Sequence, residues 1–240
     1  MRYKAMAKRL SKLFRTIFDT EKIINVCFNH TGKMAGMYSI STACTLNQYC
    51  IARSKNKDSI CSDCFAQAMF KNPWYKWTLR RCEENTRTLT EQILEEDELP
   101  LINAFAFRLE SFGDLKNEIH CINYFNICNL NPRVTFALWT KNPFIIANTI
   151  RDGYTKPDNL IIVYSSPIKN KAVSLEKIQK VFPFVDKVFT VWTTTAEALK
   201  HNVKINCGAR ACLKCLRCYT KGGDNNIAEL LKRFSDSLGV

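Results

Sequence analysis

Four cysteines near the carboxyl end of the chain have the spacing that most clearly suggests chemistry. They are Cys207, Cys212, Cys215 and Cys218, within the run NCGARACLKCLRCY. Thiolates held this close repel one another, and a bound cation or an iron–sulfur core removes that cost. In a reducing compartment, clustered thiols are more often metal ligands than disulfides. The run therefore predicts a metal site.

The intervals between these cysteines bear on which metal is bound. Cys207 and Cys212 are separated by four residues and Cys212 and Cys215 by two, as in a plant-type ferredoxin loop, and Cys218 extends the run in the bacterial manner. Zinc modules usually separate two Cys-x2-Cys pairs by a dozen residues or more. The spacing favours an iron–sulfur cluster of the [4Fe–4S] type. Zinc and unliganded thiols are the alternatives.

A second group of cysteines lies nearer the amino end, at Cys44, Cys50, Cys61 and Cys64. The pair Cys61-x2-Cys64 has the spacing of metal ligands, whereas the wider gaps before it are less specific. In one interpretation all four bind a second metal centre or share ligands with the first. In the other, Cys44 and Cys50 are small buried residues. We therefore expect one or two clusters and as many as eight cysteine ligands.

The other cysteines and the histidines suggest no further metal site. Four cysteines stand alone among apolar or helical neighbours and are assigned to the core: Cys27, Cys82, Cys121 and Cys128. The three histidines are far apart in the sequence: His30, His120 and His201. A zinc catalyst built from histidines is therefore not expected.

Apolar, β-favouring runs alternate with helical patterns between the two groups of cysteines. Strands are predicted within Pro100–Asp114, Arg133–Lys141, 159–167, 187–195 and Val203–Asn206, and helices within Glu118–Leu130 and Asn142–Gly153. Such alternation predicts βα units, a parallel sheet and an α/β fold. At least five strands after residue 100 favour a full or partial TIM-type barrel.

Reactive residues of such barrels gather where strands end and loops begin. Arg108, Asp114 and Lys141 are predicted at those ends, and mixed charges of this kind can hold a polar ligand or move a proton. We take these three as the candidate catalytic residues. Glu110 shares the position but is a weaker candidate. The alternative is that charged residues end strands because loops are solvated. Glycine-rich phosphate loops of the common kinds do not occur.

Length and composition predict one barrel-like domain over residues 1–240, with 46% hydrophobic residues. Its predicted parts are an amphipathic helix at 1–20, a cysteine-rich segment at 40–70, βα repeats at 100–206, the cysteine run at 207–219 and a helix at 224–238. Neither a bilayer-spanning apolar run nor a secretory signal is expected, which favours an intracellular protein.

The chain is strongly basic. It has 35 Lys and Arg residues against 22 Asp and Glu residues, a net charge of +13, which favours polyanionic partners such as a nucleotide or nucleic acid. Part of this charge would compensate bound clusters, because thiolate-ligated clusters are themselves negative. The oligomeric state is not indicated by the sequence.

Three short motifs and the final cysteine run together resemble a known family. They are CSDCFAQ, FRLESFGD and FALWTKNP, in that order. The combination is similar to a family of phage-encoded iron–sulfur proteins related to the radical S-adenosylmethionine barrels. The matching positions are Cys61, Cys64, Phe65, Ala66, Arg108, Gly113, Asp114, Thr140 and Lys141. The resemblance implies a radical-SAM-like barrel that binds an iron–sulfur cluster and acts in the cytoplasm of a bacterial host.

The sequence departs from the radical S-adenosylmethionine enzymes in one respect. It lacks the Cys-x3-Cys-x2-Cys motif that leaves one iron open for the cofactor, so S-adenosylmethionine binding is not predicted. Two functions remain. The first is a redox or radical-type enzyme that acts on a nucleotide or nucleic acid. The alternative is a nucleic-acid-binding protein with structural iron–sulfur or zinc and no catalysis.

Overall fold

A computed structural model describes residues 24–208 and 210–233 of the chain. Its strands are β1 (Cys27–Phe28), β2 (Tyr38–Ile40), β3 (Ala106–Leu109), β4 (Thr135–Thr140), β5 (Leu160–Ser165), β6 (Lys187–Trp192) and β7 (Asn226–Leu230). Its α-helices are α1 (Gln48–Ser54), α2 (Phe65–Phe70), α3 (Lys76–Glu91), α4 (Glu118–Leu130), α5 (Pro143–Arg151), α6 (Leu175–Gln179), α7 (Thr195–Lys200) and α8 (Cys212–Cys215). Short 3-10 turns lie at Cys44–Leu46, Ile60–Asp63, Pro73–Tyr75, Glu96–Glu98 and Arg217–Tyr219.

The seven described strands form one sheet in the order of the sequence, from β1 to β7. β1 is antiparallel to β2, and every later neighbouring pair is parallel. The predicted α/β fold with a largely parallel sheet is therefore confirmed. The sheet is open, because β1 and β7 do not pair with each other in the described chain, so a full closed barrel is wrong. β1 is only two residues long and antiparallel, and it provides no parallel edge for β7.

The two faces of the sheet are covered by different parts of the chain. On one face, Phe107, Phe136 and Ile162 pack with the buried residues of α4 and α5 in the largest hydrophobic cluster. On the other face, Trp139 packs with Tyr219 of the cysteine run. The helices therefore cover one side, and the cysteine run lies against the other.

Several elements agree with the prediction. α4 spans Glu118–Leu130, as predicted, and begins where the Asn117 side chain accepts a hydrogen bond from the backbone N–H of His120 at 3.0 Å. α5 begins at Pro143, a position at which proline is favoured. β3, β4, β5 and β6 lie within the predicted strand ranges. The βα repeats between residues 100 and 192 are therefore strands and helices in the predicted order.

The carboxyl end differs from the prediction. Residues 203–206 form no strand, and Asn226–Leu230, predicted within a helix at 224–238, form strand β7 instead. This run is too short for its apolar pattern to distinguish a helix from a strand. The unpaired backbone groups at the edge of β6 need partners, and β7 supplies them in parallel register. The rest of that predicted helix, beyond residue 233, and the predicted helix at 1–20 lie outside the described residues.

Candidate functional site

Arg108, near the end of β3, presents its guanidinium against an aromatic ring. Its Cζ atom lies 3.9 Å from the centre of the Trp139 ring, which is a cation–π contact. Its Nε donates to the carbonyl oxygen of Glu110 at 3.4 Å, and its Nη1 lies 3.8 Å from the sulfur of Met34. None of these partners is an anion. The guanidinium can therefore bind an anionic group without first breaking a salt bridge with one of these partners.

Glu110 is buried in a polar network just after β3. Its carboxylate accepts hydrogen bonds from Thr42 Oγ1 at 2.9 Å and from the Tyr124 hydroxyl at 2.6 Å, and lies 3.3 Å from His120 Nε2. Burial acts to raise the pKa of Glu110, but His120 and Tyr124 outweigh it and lower the pKa below its ordinary value. A Cβ at Gly113 would lie 2.5 Å from Glu110 Oε2. The network therefore requires glycine there.

Asp114, which follows β3, is hydrogen-bonded to Thr140 and Lys141 at the end of β4. Its Oδ1 accepts hydrogen bonds from Thr140 Oγ1 at 2.6 Å and from the Leu115 N–H at 2.9 Å. Its Oδ2 accepts from the backbone N–H of Lys141 at 2.9 Å. Burial raises the pKa of Asp114, although the Lys141 charge and the Thr140 bond oppose this. Asp114 thus fixes the backbone that carries Lys141.

The first thiol set consists of Cys44, Cys50, Cys61 and Cys64, carried by two 3-10 turns, α1 and the start of α2. The first three are buried and Cys64 is half-buried. A hydrogen bond with Cys44, helped by backbone N–H groups of α2, lowers the pKa of Cys64 to about 6 against the effect of burial. The charge of Lys141 acts on Cys50, Cys61 and Cys64. Three of the four thiols therefore lie near the Lys141 charge, and Cys44 joins them through its hydrogen bond with Cys64.

The second thiol set consists of Cys207, Cys212, Cys215 and Cys218, all half-buried. α8 carries two of them, and the 3-10 turn at Arg217–Tyr219 carries Cys218. Burial, together with the neighbouring Cys207 and Cys212, raises the pKa of Cys218 to about 12 against the opposing charge of Arg108. The carboxyl-terminal thiols therefore also lie together.

Two cations accompany the second thiol set. Lys33, in the loop between β1 and β2, places its Nζ 3.5 Å from Cys207 Sγ and 2.6 Å from Glu229 Oε1. The carbonyl oxygen of Lys33 accepts a hydrogen bond from the Cys212 N–H at 2.8 Å. Burial raises the pKa of Cys212, and the charges of Lys33 and Arg108 oppose it. These cations favour the thiolate forms that metals bind.

Both thiol sets line one cavity of about 250 Å³, together with Arg108 and Lys141. All four thiols of the first set and three of the second, Cys207, Cys212 and Cys218, reach it. A second cavity, of about 600 Å³, is lined by all four thiols of the second set. Among the described residues, no group of three or more Cys, His, Asp or Glu side chains is arranged to hold a single metal ion. The thiols of both sets therefore line the cavity without forming a single-ion site.

The structure brings most of the predicted site residues to this cavity. Arg108 and Lys141 line it, and Asp114 is buried behind Lys141 with its oxygens occupied. Three of the cysteines assigned to the core are buried, whereas Cys27 in β1 is only half-buried.

Sequence reasoning missed Lys33, Glu229 and Trp139. Lys33 and Cys207 are 174 positions apart, and no local pattern links them. Trp139 lies in an apolar strand run, where an aromatic residue is ordinarily core. A lysine in a short loop and a tryptophan in a strand carry no signal of a shared site until the chain is folded.

The fold and the site define an α/β protein with an open, mostly parallel sheet and a cavity between two sets of free thiols. The chain belongs to the Gene product 88 family, whose family model matches residues 20–234. This is consistent with a phage protein family, and it carries no information on iron–sulfur or radical-SAM character. No curated protein and no solved structure matches the chain. Helices of the described residues are all too short or too polar to cross a membrane.

Proposed function

We propose that this protein binds one or two [4Fe–4S] clusters through its first and second thiol sets, as a redox or radical-type enzyme acting on a nucleotide or nucleic acid. The observation that carries the proposal is the cavity shared by both thiol sets, Arg108 and Lys141. A purely structural metal is enclosed by its ligands, whereas an open, cation-lined space beside the ligands leaves room for a substrate.

The donor groups suit such a cluster. All eight thiols are free, and each set lies beside a cation that offsets the negative charge of a thiolate-bound cluster. The thiolates of a four-iron cluster bind different iron atoms and stand further apart than the ligands of one ion. This is consistent with thiols that converge in the described chain without forming a single-ion site. When bound, the cluster would supply electron transfer at the cavity.

The other residues have distinct roles in this proposal. Arg108, held against Trp139 and free of a carboxylate partner in the described chain, binds an anionic group of the substrate. Lys141 stabilises the thiolates of the first thiol set. Asp114 is a positioning residue, because its oxygens already accept hydrogen bonds from Thr140 and from the Lys141 backbone.

We further propose that the open sheet is a partial barrel of the radical-SAM-like type. Its parallel strands follow one another in sequence order, as barrel strands do. S-adenosylmethionine remains outside the proposal, because four thiolates in each set saturate a cluster and leave no iron open for it.

Metal analysis under anaerobic conditions tests the cluster. The purified protein should be brown, with broad absorbance near about 400 nm, and should contain iron and sulfide. Cys61→Ser and Cys212→Ser should each lower the iron content, whereas Cys121→Ala, a core cysteine in neither thiol set, should not. A colourless protein that contains zinc or no metal would end the proposal.

Ligand binding tests the role of Arg108. Arg108→Gln should weaken binding of nucleoside monophosphates about tenfold, the loss expected for one charge-assisted hydrogen-bonding group, at unchanged iron content. Arg133→Gln, at an exposed position, is the matched control. Equal affinities of the two variants, or a wild-type protein that binds no nucleotide, would contradict the substrate class.

A second candidate function rests on where the second thiol set lies. Through Lys33 and Glu229 this set joins the loop between β1 and β2 to β7, a position suited to a structural iron–sulfur or zinc centre in a nucleic-acid-binding protein. Under this alternative, metal removal would lower the melting temperature, and Arg108→Gln would leave nucleotide binding unchanged.

A further inference from the structure

Two large aromatic side chains near the start of α3 stand almost fully in solvent. Trp74 is 91% exposed and Trp77 is 72% exposed. Tryptophan is a residue that proteins usually bury for the most part, and neighbouring exposed aromatics indicate an interaction site. Neither residue lines the cavity between the thiol sets. Their exposure therefore calls for a separate explanation.

The backbone that carries the two tryptophans is regular and capped. The Asn72 side chain accepts a hydrogen bond from the Trp74 N–H at 3.0 Å, and Pro73 begins the 3-10 turn that leads into α3. Residues three apart lie on the same side of such a turn, so Trp74 and Trp77 project together. The buried side of α3 is formed by later residues, among them Leu89. The exposed pair is thus a feature of an ordered element.

Basic residues flank the two tryptophans in the sequence, and one of them lies against a ring. The stretch from 71 to 82 has no acidic residue and four basic ones, Lys71, Lys76, Arg80 and Arg81. The Arg80 Cζ lies 5.4 Å from the centre of the Trp77 ring. Arg80 also pairs with Glu84 at 3.0 Å, with both side chains exposed to solvent, and exposed pairs of this kind are weak. A phosphate can therefore compete for Arg80.

We propose that Lys71, Trp74, Lys76, Trp77 and Arg80, here called the tryptophan surface, bind single-stranded nucleic acid. Bases stack on exposed aromatic rings, and Lys and Arg neutralise the phosphates between them. The spacing of basic and aromatic residues matches this chemistry. Lysine, present here as Lys71 and Lys76, is depleted at protein–protein interfaces. A membrane-surface helix would separate its basic and aromatic residues onto opposite faces, whereas Arg80 lies against the Trp77 ring.

This surface would supply the nucleic-acid partner of the proposed function, yet it uses different residues and does not require a bound cluster. Iron content and oligonucleotide affinity are therefore measured on the same samples. A colourless protein that binds through the tryptophan surface would overturn only the cluster. A brown protein that fails to bind would overturn only this inference.

The experiment uses the full chain and a labelled oligothymidylate of about 16 nucleotides. Trp74→Ala and Trp77→Ala should each weaken binding about tenfold, and the oligonucleotide should quench tryptophan fluorescence in the wild type. Replacing both Lys71 and Arg80 by Gln should reduce the salt slope by about 1.4, because each phosphate contact on a single strand contributes about 0.7.

The control is Phe105→Ala, which removes another exposed aromatic ring, 60% accessible, away from this surface. It should leave the affinity unchanged. The inference is overturned if the wild type does not bind the oligonucleotide, or if the tryptophan variants bind it as the control does. It is also overturned if these variants lose only binding to anionic phosphatidylserine vesicles, or only self-association.

Discussion

Replacing Gly113 by alanine tests whether the network after β3 is as tightly packed as the structure indicates. The added Cβ would clash with Thr42 Oγ1 and would lie 2.5 Å from Glu110 Oε2 and 2.7 Å from the Thr42 carbonyl oxygen. The last contact is with backbone, so a side-chain rotation cannot relieve it. The variant must either shift the chain or break the bond between Thr42 and Glu110.

The cost of this substitution follows from its two parts. Overpacking a tight site costs about 1–3 kcal/mol, and loss of a hydrogen bond to a charged group costs about 1.5–3 kcal/mol, so together the free energy of unfolding falls by about 2.5–6 kcal/mol. At about 2–4 °C per kcal/mol for a chain of this size, the melting temperature of Gly113→Ala should fall by about 10 °C.

Thermal unfolding followed by far-UV circular dichroism measures the change, with Gly32→Ala as the matched control. Gly32 has φ +70° and no atom within 4 Å of an added Cβ, so its substitution costs only backbone strain, about 1–2 kcal/mol. The control should therefore melt about 2–8 °C below the wild type. If Gly113→Ala melted at the same temperature as Gly32→Ala, the close contacts with Thr42 and Glu110 would be refuted.

Two further substitutions test the same region. The pKa of Glu110 in the folded protein is lower than its ordinary value of 4.5. The ionised carboxylate therefore stabilises the folded state above that pH, and this stabilisation is lost as the pH falls through the folded pKa. The stability difference between wild type and Glu110→Gln, measured by urea unfolding, should therefore be largest near neutral pH and shrink below about pH 4, and a pH-independent difference would contradict this. Thr140→Val removes the 2.6 Å bond to Asp114 and the acceptor for the Asn142 N–H, and should lower the melting temperature by about 4–8 °C. Thr149→Val removes a bond to a carbonyl of its own helix and a hydrogen bond with the Cys121 thiol, but none to a carboxylate. It should therefore cost less, and equal losses would count against the role of Asp114.

Local patterns were sufficient for the middle of the chain. α4 lies at its predicted bounds, and the structure adds the Asn117 cap that begins it. The strands from β3 to β6 are runs of buried, β-favouring residues. The alternation of these elements predicts a parallel sheet, because parallel strands need crossover helices. The open sheet was not predictable in the same way, because closure depends on pairing between distant edges.

β7 shows why the carboxyl end was less predictable. The run NIAEL has apolar residues at intervals that suit either a short helix or a short strand. The run forms a strand because it pairs with the edge of β6 and satisfies the backbone groups there. Context of this kind comes from a strand that ends more than thirty positions earlier in the chain.

Residue type and local spacing are enough to identify the two groups of cysteines, the βα alternation and the charged residues that follow the strands. Tertiary structure alone decided that both thiol sets face one cavity and that Trp139 supports Arg108. It also brought Lys33 to a thiol 174 positions away. These contacts join residues that are far apart in the chain and meet only after folding. Contacts over such distances leave no periodic pattern in the sequence.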